Sequence, residues 1–417
     1  EGLDIKNIEK KLEELNETSN LEFLDNAEVN TPVILLNKIK SKLPNNFWEN
    51  NPTILDYSCG KGNIIVMIFL EYFSILNNTI NDRCKVCKII LEEKLYLGDI
   101  NIKNIYITIS KLHYLAKYLT NNEIEYKYNY YIGDSLKLNL NTKWGISKID
   151  RIVVNPPFED RNKRNTTPHK LWIDFTKLTF KEWLKVGGIL VQISPSSFSS
   201  PSSKILNIFK EKKIIRLYLN ESNYFKNVNT TISWYIIENV EDDDSITLIN
   251  DDYSIKLNND ILYLPNDVSD NINALSIHKK VMFNTTNKLD VKRDYVTAHN
   301  ILLKGLKLKE GEKITLSKEK TDYHIYPVKH TNKQTWYSSI KQSFLDSKKV
   351  MWSRSGYTIP FYDNGTLGIT DLCYYVLVEN EEEGNNLVFN LKSELFNYIL
   401  KTAKWSGFGN DKVFYNL

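Results

Sequence analysis

The sequence predicts an α/β protein: a mostly parallel sheet with helices between its strands, followed by a smaller region of α+β texture. Three observations predict it. Between residues 52 and 240, short β-branched runs alternate with helical stretches at the spacing of βαβ units. The first of these runs ends in a small-residue turn that opens a long apolar helix, in PTILDYSCGKGNIIVMIFLEYF (52–73). Beyond about residue 246 the texture changes to short alternating segments separated by turn signals.

The elements follow in order. IKNIEKKLEELNE (5–17) has helical spacing with charge on its outer face. A second helix is expected from Thr31-Pro32, with Thr as cap and Pro in the first turn, through VILLNKIKSKL. After the strand, turn and helix of 52–73, a strand is expected at KLYLGDI (94–100) and a helix through Ala116. YNYYIGDS (128–135) and RIVVN (151–155) supply two further strands. The polar, basic stretch EDRNKRNTTPHK (159–170) reads as irregular, LWIDFTKLTFKEWLK as a helix, and GGILVQISP (187–195) as a strand. A Ser-rich loop (194–203), the alternating run NTTISWYIIEN (229–239) and an acidic turn or linker ending at Ser245 close this half. Two domains are thus expected, 1–245 and 246–417. In the second, Asp363-Asn364-Gly365 is expected to form a hairpin turn between alternating segments.

Composition bounds the function. A chain of 417 residues, 42% hydrophobic and 25% charged, is neither disordered nor fibrous. Its formal net charge of +3 means that a nucleic-acid partner requires a local basic surface. Four scattered cysteines exclude a disulfide framework; Cys84 and Cys87 have metal-ligand spacing but no second pair, and read as two thiols near a strand. His169, His299, His324 and His330 have no triad or metal spacing. No apolar run of about 18 residues and no signal peptide is seen, so a soluble, cytoplasmic protein without a membrane partner is expected. Abundant Asn, Lys and Ile fit an AT-rich genome, as in a low-GC bacterium, a phage or a large virus.

The chemistry-bearing residues fall at expected strand ends, where such sheets bind ligands. Asp56-Tyr57-Ser58-Cys59-Gly60-Lys61-Gly62-Asn63 is a glycine loop ahead of a helix N-terminus, and is neither a Walker loop nor G-x-G-x-x-G. Alone it is equally well a structural turn. Asp99 can accept from ribose hydroxyls and Asp134 from an exocyclic amine, although each type of residue also caps turns. In VVNPPFE (153–159), Asn155 offers a side-chain carbonyl and Pro156 a main-chain one, two acceptors for an amine that donates twice. Pro157 stiffens the turn, and Phe158 offers a ring for stacking on a base, worth about 1–3 kcal/mol. The alternative is a Pro-Pro strand terminator beside a core Phe.

Asp56-x-x-x-Gly60-x-Gly62, Asp99, Asp134 and Asn155-Pro156-Pro157-Phe158 together resemble the S-adenosylmethionine-dependent amino-methyltransferases, above all the DNA adenine-N6 enzymes with a [DNS]-P-P-[YFW] motif. Glu28-Val29-Asn30-Thr31-Pro32 is similar to the segment that precedes the glycine loop in that family, and the motif order is that of its γ class. The resemblance covers roughly 20–240 and, more loosely, the C-terminal region, which looks like a target-recognition domain. Tyr57, Lys61 and Asn30-Thr31-Pro32 depart from the family's usual residues. The resemblance implies a Rossmann-like methyltransferase domain, S-adenosylmethionine as cofactor and no metal. It implies cofactor contacts at Asn30, Thr31, Pro32, Asp56, Ser58, Cys59, Gly60, Gly62, Asn63, Asp99, Ile100, Asp134, Ser135 and Asn155. Asn155, Pro156, Pro157 and Phe158 would be catalytic, acting on an adenine flipped out of duplex DNA.

DNA contacts are expected from Arg161, Lys163, Arg164 and Lys170, the alternative being a solvated loop. Phe225 is a second stacking ring or else a core aromatic. In the second half, Lys304, Lys307, Lys309, Lys348, Lys349, Arg354 and Tyr357 mix charge and aromatics as groove or phosphate contacts. Double-stranded DNA is the expected partner, and a companion restriction endonuclease is compatible with the family. The rivals are an RNA or protein amino-methyltransferase using the same NPPF chemistry, and a methyltransferase-like subunit that binds DNA without catalysis.

Overall fold

The computed structural model describes residues 30–159, 169–201, 203–225, 230–241, 245–271, 273–283, 288–297, 299, 306–307, 313–331, 334–354, 359–405 and 411–416. The chain divides into two compact units, one running to Phe198 and from Lys204 to Asn259, the other comprising Ser199–Ser203 and Asp260–Leu417. The first unit therefore extends past the expected boundary at 245. The hairpin that follows the acidic turn hydrogen-bonds onto the sheet of the first unit rather than opening the second.

That sheet has nine strands among the described residues: β1 (Ile54–Asp56), β2 (Leu95–Asp99), β3 (Asn129–Ile132), β4 (Ile149–Val154), β5 (Leu184–Pro195), β6 (Lys213–Tyr218), β7 (Ile232–Glu238), β8 (Ile246–Ile249) and β9 (Tyr253–Lys256). Their order is β3-β2-β1-β4-β5-β7-β6-β8-β9. Strands β3, β2, β1, β4 and β5 are mutually parallel, while β7 runs antiparallel to both its neighbours. The direction of winding reverses between β1 and β4, so the crevice of the sheet opens at their carboxyl ends. β1, β2 and β4 are buried on nearly every residue, as strands covered on both faces must be.

The helix Asn63–Asn77 buries Ile64, Ile65, Ile68, Phe69, Tyr72 and Phe73, so its apolar surface runs almost all round. Helix Ile102–Thr120 is amphipathic, with Ile105, Leu112, Leu115 and Ala116 buried in the same core. Helix Val33–Lys42 starts one residue beyond Pro32 and has no side-chain cap. Thr31 is thus not the expected cap, because its hydroxyl is engaged elsewhere. The expected helix 5–17 lies outside the described residues. Cys84 and Cys87 fall on a helix, Arg83–Ile89, whose burial pushes the Cys87 thiol up to about 12.

The second unit is built of small sheets, the first of which pairs β10 (Leu306–Lys307) with β11 (Lys313–Ile314). One has the order β12-β14-β13-β17, with β12 at Leu316–Ser317, β13 at Tyr326–Thr331, β14 at Gln334–Ser338 and β17 at Gly368–Ile369. Another has β16 (Phe361–Asn364), β15 (Lys348–Ser353) and β18 (Cys373–Leu377), and helices Glu381–Lys392 and Glu394–Thr402 follow. The Asp363-Asn364-Gly365 turn does not close a hairpin as the sequence suggested. β16 pairs with β15 and the next strand, β17, joins the other sheet. The Asp363 carboxylate causes the diversion by accepting from Thr366 N and Leu367 N, and Gly365 takes φ 81° where a Cβ would lie 2.4 Å from the Asp346 carbonyl oxygen.

Candidate functional site

Four polar side chains stand in a row at the carboxyl ends of neighbouring parallel strands. In sheet order they are Asp134 after β3, Asp99 at the end of β2, Asp56 at the end of β1 and Asn155 after β4. The glycine loop ties them together. Gly60 N donates to Asp99 Oδ2 at 2.9 Å, Cys59 N donates to the Gly98 carbonyl at 2.9 Å, and Ser58 Oγ donates to the Asn155 carbonyl at 3.2 Å. Ser135 Oγ donates to the Tyr57 carbonyl at 2.6 Å, which brings the β3 turn onto the same loop. Gly62 has φ 85°, and a Cβ there would lie 2.6 Å from Thr108 Oγ1, so the loop requires glycine for both conformation and space.

Of the segment before the loop, Thr31 joins two of these elements. Asn155 Nδ2 donates to Thr31 Oγ1 at 3.2 Å, and Asn63 Nδ2 donates to the Thr31 carbonyl at 3.0 Å. Thr31 is 5% exposed and therefore links the Asn155 turn to the first residue of the helix after the glycine loop. With its nitrogen engaged by Thr31, the Asn155 amide turns its oxygen to the opposite side of the group as an acceptor. Pro156 is buried, whereas Asn155, Pro157 and Phe158 are partly exposed. Phe158 packs on the edge of the core while remaining partly exposed.

The carboxylates differ in state. Asp56 is fully buried, its Oδ1 accepts from Ser58 N at 3.0 Å, and its Oδ2 has no hydrogen-bond partner among the described residues. Burial raises its pKa well above the ordinary carboxylate range, and the nearby Asp99 charge adds to the rise. Asp99 Oδ1 accepts from Asn101 N at 2.7 Å and Asn104 Nδ2 at 3.2 Å, while its Oδ2 holds Gly60 N. Burial raises the Asp99 pKa too, opposed by these three donors. A carboxylate has about four acceptor positions, so Asp99 as it stands has room for one hydroxyl of a ribose rather than the expected two. Asp134 is more exposed and caps a short turn through Leu136 N. Ile100, beside Asp99, is 70% exposed, an apolar surface at the mouth of the crevice.

Tyr57 is held by aromatic packing. Its ring stacks on Phe175 at 4.9 Å and 11° and lies 4.9 Å from Trp183, so this loop is anchored in the core by an aromatic.

Two expected DNA contacts are overturned. Lys349 is fully buried, with Nζ donating to Asp363 Oδ2 at 2.7 Å and to the Leu345 and Ser347 carbonyls, so it is a core ion pair. Phe225 is 7% exposed and belongs to the core of the first unit. Lys170 and Lys348 are exposed and Arg354 is partly exposed. Arg161, Lys163, Arg164, Lys304, Lys309, Tyr357, Glu28 and Val29 lie outside the described residues, as does the Lys307 side chain. Sequence reading missed Asn104, Thr108 and Lys111, which reach the loop from the 102–120 helix.

Comparison with known proteins gives likenesses of fold. No family model and no curated protein matches the chain. Among solved structures, the chain is similar to the ATP-dependent Type ISP restriction-modification enzyme LlaBIII bound to DNA (TM-score 0.52, 10% identity, 94% of this chain and 38% of that one). It is also similar to a nuclease-deletion mutant of the Type ISP enzyme LlaGI in complex with a DNA substrate mimic (TM-score 0.52, 11% identity, 89% and 53%). A third similarity is to the type I restriction-modification methyltransferase subunit from Streptococcus thermophilus (TM-score 0.36, 14% identity, 53% and 47%). What the chain shares with the two Type ISP enzymes is the fold, a mixed α/β architecture around a large, mostly parallel sheet. The chain spans about half or less of the length of these three proteins. Among the described residues, no helix is long and apolar enough to cross a membrane.

Proposed function

We propose that the chain transfers a methyl group from S-adenosylmethionine to the N6 of an adenine in duplex DNA. The observation that carries this reading is the Asn155 amide, fixed through Nδ2 on Thr31 at the reversal point of the sheet, beside the glycine loop. That fixing presets an acceptor for a donor amine before any substrate arrives.

The residues present fit the cofactor. Asp56 Oδ2 is a buried acceptor without a partner and suits a donor at the amino-acid end. Asp99 retains an acceptor position for one ribose hydroxyl, and Ile100 and Asp134 suit the face and edge of an adenine. When bound, the cofactor supplies an electrophilic methyl group on a sulfonium.

Asn155 Oδ1 and the Pro156 carbonyl would accept the two N6 hydrogens of the substrate base. An N6 lone pair delocalised into the ring is a weak nucleophile, and holding both hydrogens favours the pyramidal, attacking nitrogen. No strong general base is then needed; the rate comes from positioning and fixed dipoles. Phe158 would stack on the extruded base, which is out of reach within the duplex. DNA as substrate is supported by the similarity to two restriction-modification enzymes solved with DNA or a DNA mimic. In this reading the second unit contributes target recognition through groups such as the exposed Lys348 and the partly exposed Arg354, Lys170 of the first unit meets the phosphate backbone, and a companion endonuclease belongs to the same proposal.

The test is transfer of labelled methyl to unmethylated duplex DNA, with nucleoside digestion of the product. N6-methyladenine is expected, and Asn155→Ala should lower turnover at saturating cofactor by about 100- to 1000-fold, as for loss of a preorganised polar group. Transfer to RNA or protein alone would replace the substrate. Absence of both transfer and cofactor binding would leave a non-catalytic subunit.

A further inference from the structure

The 102–120 helix carries an apolar face into the core, yet two of its polar residues hold the glycine loop and a third holds Asp99 beside it. Asn104, Thr108 and Lys111 are spaced i, i+4 and i+7 and so share one stripe. Asn104 Nδ2 donates to Asp99 Oδ1 at 3.2 Å, Thr108 Oγ1 donates to the Gly60 carbonyl at 3.1 Å, and Lys111 Nζ donates to the Lys61 carbonyl at 2.7 Å. Thr108 is fully buried and fills the space that a Cβ on Gly62 would need.

We propose that this stripe is a positioning element for the cofactor loop, with Thr108 and Lys111 setting the direction of its peptides. The inference rests on the methyltransferase reading and deepens it. A peptide is planar with its C=O and N–H opposed. Holding the Gly60 carbonyl therefore fixes where the Lys61 N–H points, and holding the Lys61 carbonyl fixes the Gly62 N–H, which closes the turn onto the Cys59 carbonyl at 2.9 Å. Asn104 fixes the Asp99 carboxylate from the same helix face, so the loop and the ribose-binding acid are set by one rigid body.

A purely structural role does not account for Lys111. Burial lowers its pKa to about 8, the like charge of Lys61 contributing, and no carboxylate pairs with it among the described ion pairs. A partly buried ammonium facing only carbonyl and amide acceptors costs stability. Its return is the fixed loop.

The experiment is calorimetric titration of the full chain with S-adenosylmethionine, with thermal melts to confirm folding. Thr108→Val, which preserves shape, should weaken binding by about 5- to 10-fold, the worth of one hydrogen bond. Lys111→Met should weaken it by about tenfold or more, as for a charged donor, and Lys111→Arg should recover part of that loss. Lys117→Met, on the exposed face of the same helix, should bind as wild type. In the methylation assay the stripe variants should raise the cofactor KM while kcat at saturation stays near wild type. Wild-type binding with Thr108→Val and Lys111→Met unchanged overturns the positioning role alone. Absence of binding by the wild type overturns the methyltransferase reading and this inference with it.

Discussion

Asp99 in the first unit and Asp363 in the second are both buried, 7% and 4% exposed, yet they are held in opposite ways. Asp363 receives the fully buried Lys349 ammonium at 2.7 Å, together with Thr366 N and Leu367 N. Asp99 receives Gly60 N, Asn101 N and Asn104 Nδ2, all neutral donors. No cation pairs with Asp99 or Asp56 among the described residues, and burial raises the pKa of both. A carboxylate with a lysine is electrically complete and serves to fix the chain. One held only by neutral N–H groups has its ionised form disfavoured and retains an acceptor position, at a cost in stability that a bound donor can offset.

The sharpest way to break this contrast is to remove the lysine. Lys349→Met leaves Asp363 charged and buried, and should cost about 3–5 kcal/mol, the usual penalty for breaking a buried pair from one side. Urea denaturation measures it. Adding Asp363→Asn to Lys349→Met should recover part of the loss, because the uncompensated charge is gone. A loss below about 1 kcal/mol, within the range of an exposed pair, would mean that the pair is not the keystone of the β15–β16 hairpin and the turn after it.

The two units should also respond to pH in opposite directions. In the second unit, His278 is fully buried between the Tyr263 hydroxyl at 2.8 Å and Thr402 Oγ1 at 2.7 Å, and burial lowers its pKa to about 4. The folded state prefers neutral imidazole, so its contribution is complete above the unfolded value near 6.5 and is lost as pH falls from there towards 4. A shift of that size corresponds to up to about 3 kcal/mol. Hydrogen exchange from pH 7 to pH 4.5 should show the 274–282 helix, which carries His278, losing protection. His278→Gln should flatten that dependence, and an unchanged slope would assign the acid sensitivity to other groups.

Legibility followed the same division. The first unit was readable because its chemistry lies in contiguous strings: β-branched runs ending in DYSCGKG, GDI, GDS and NPPF place acceptors at strand ends by spacing alone. Thr31 was found as part of such a string, although its role as a bridge to Asn155 rather than as a helix cap comes from tertiary packing. Asn104, Thr108 and Lys111 were not legible, since polar residues three and four apart on an amphipathic helix normally mark its solvated face. Lys349 failed in the opposite sense. Beside Lys348 it reads as surface charge, and only the fold shows that alternation along β15 turns one lysine out and the other in. Phe225 is next to Tyr224, and nothing local decides which aromatic of such a pair enters the core.

The smallest expected effect tests the comparison from the side of the site. Asp56 has the same sign of shift as Asp99 and no cation, and its Oδ2 has no partner. An acid with a raised folded pKa stabilises the chain below its unfolded value near 3.8 and loses that contribution as pH rises through the folded value. Asp56→Asn removes the ionisation and keeps an acceptor for Ser58 N. The variant should be more stable than wild type at pH 7 and no more stable at pH 4, by thermal melts of the cofactor-free chain, while binding S-adenosylmethionine less tightly. Gain of stability with loss of binding is the signature of a site strained for its ligand. If Asp56→Asn is destabilised at neutral pH as well, the carboxylate is a structural member of the β1 turn, and its resemblance to Asp363 is closer than its surroundings suggest.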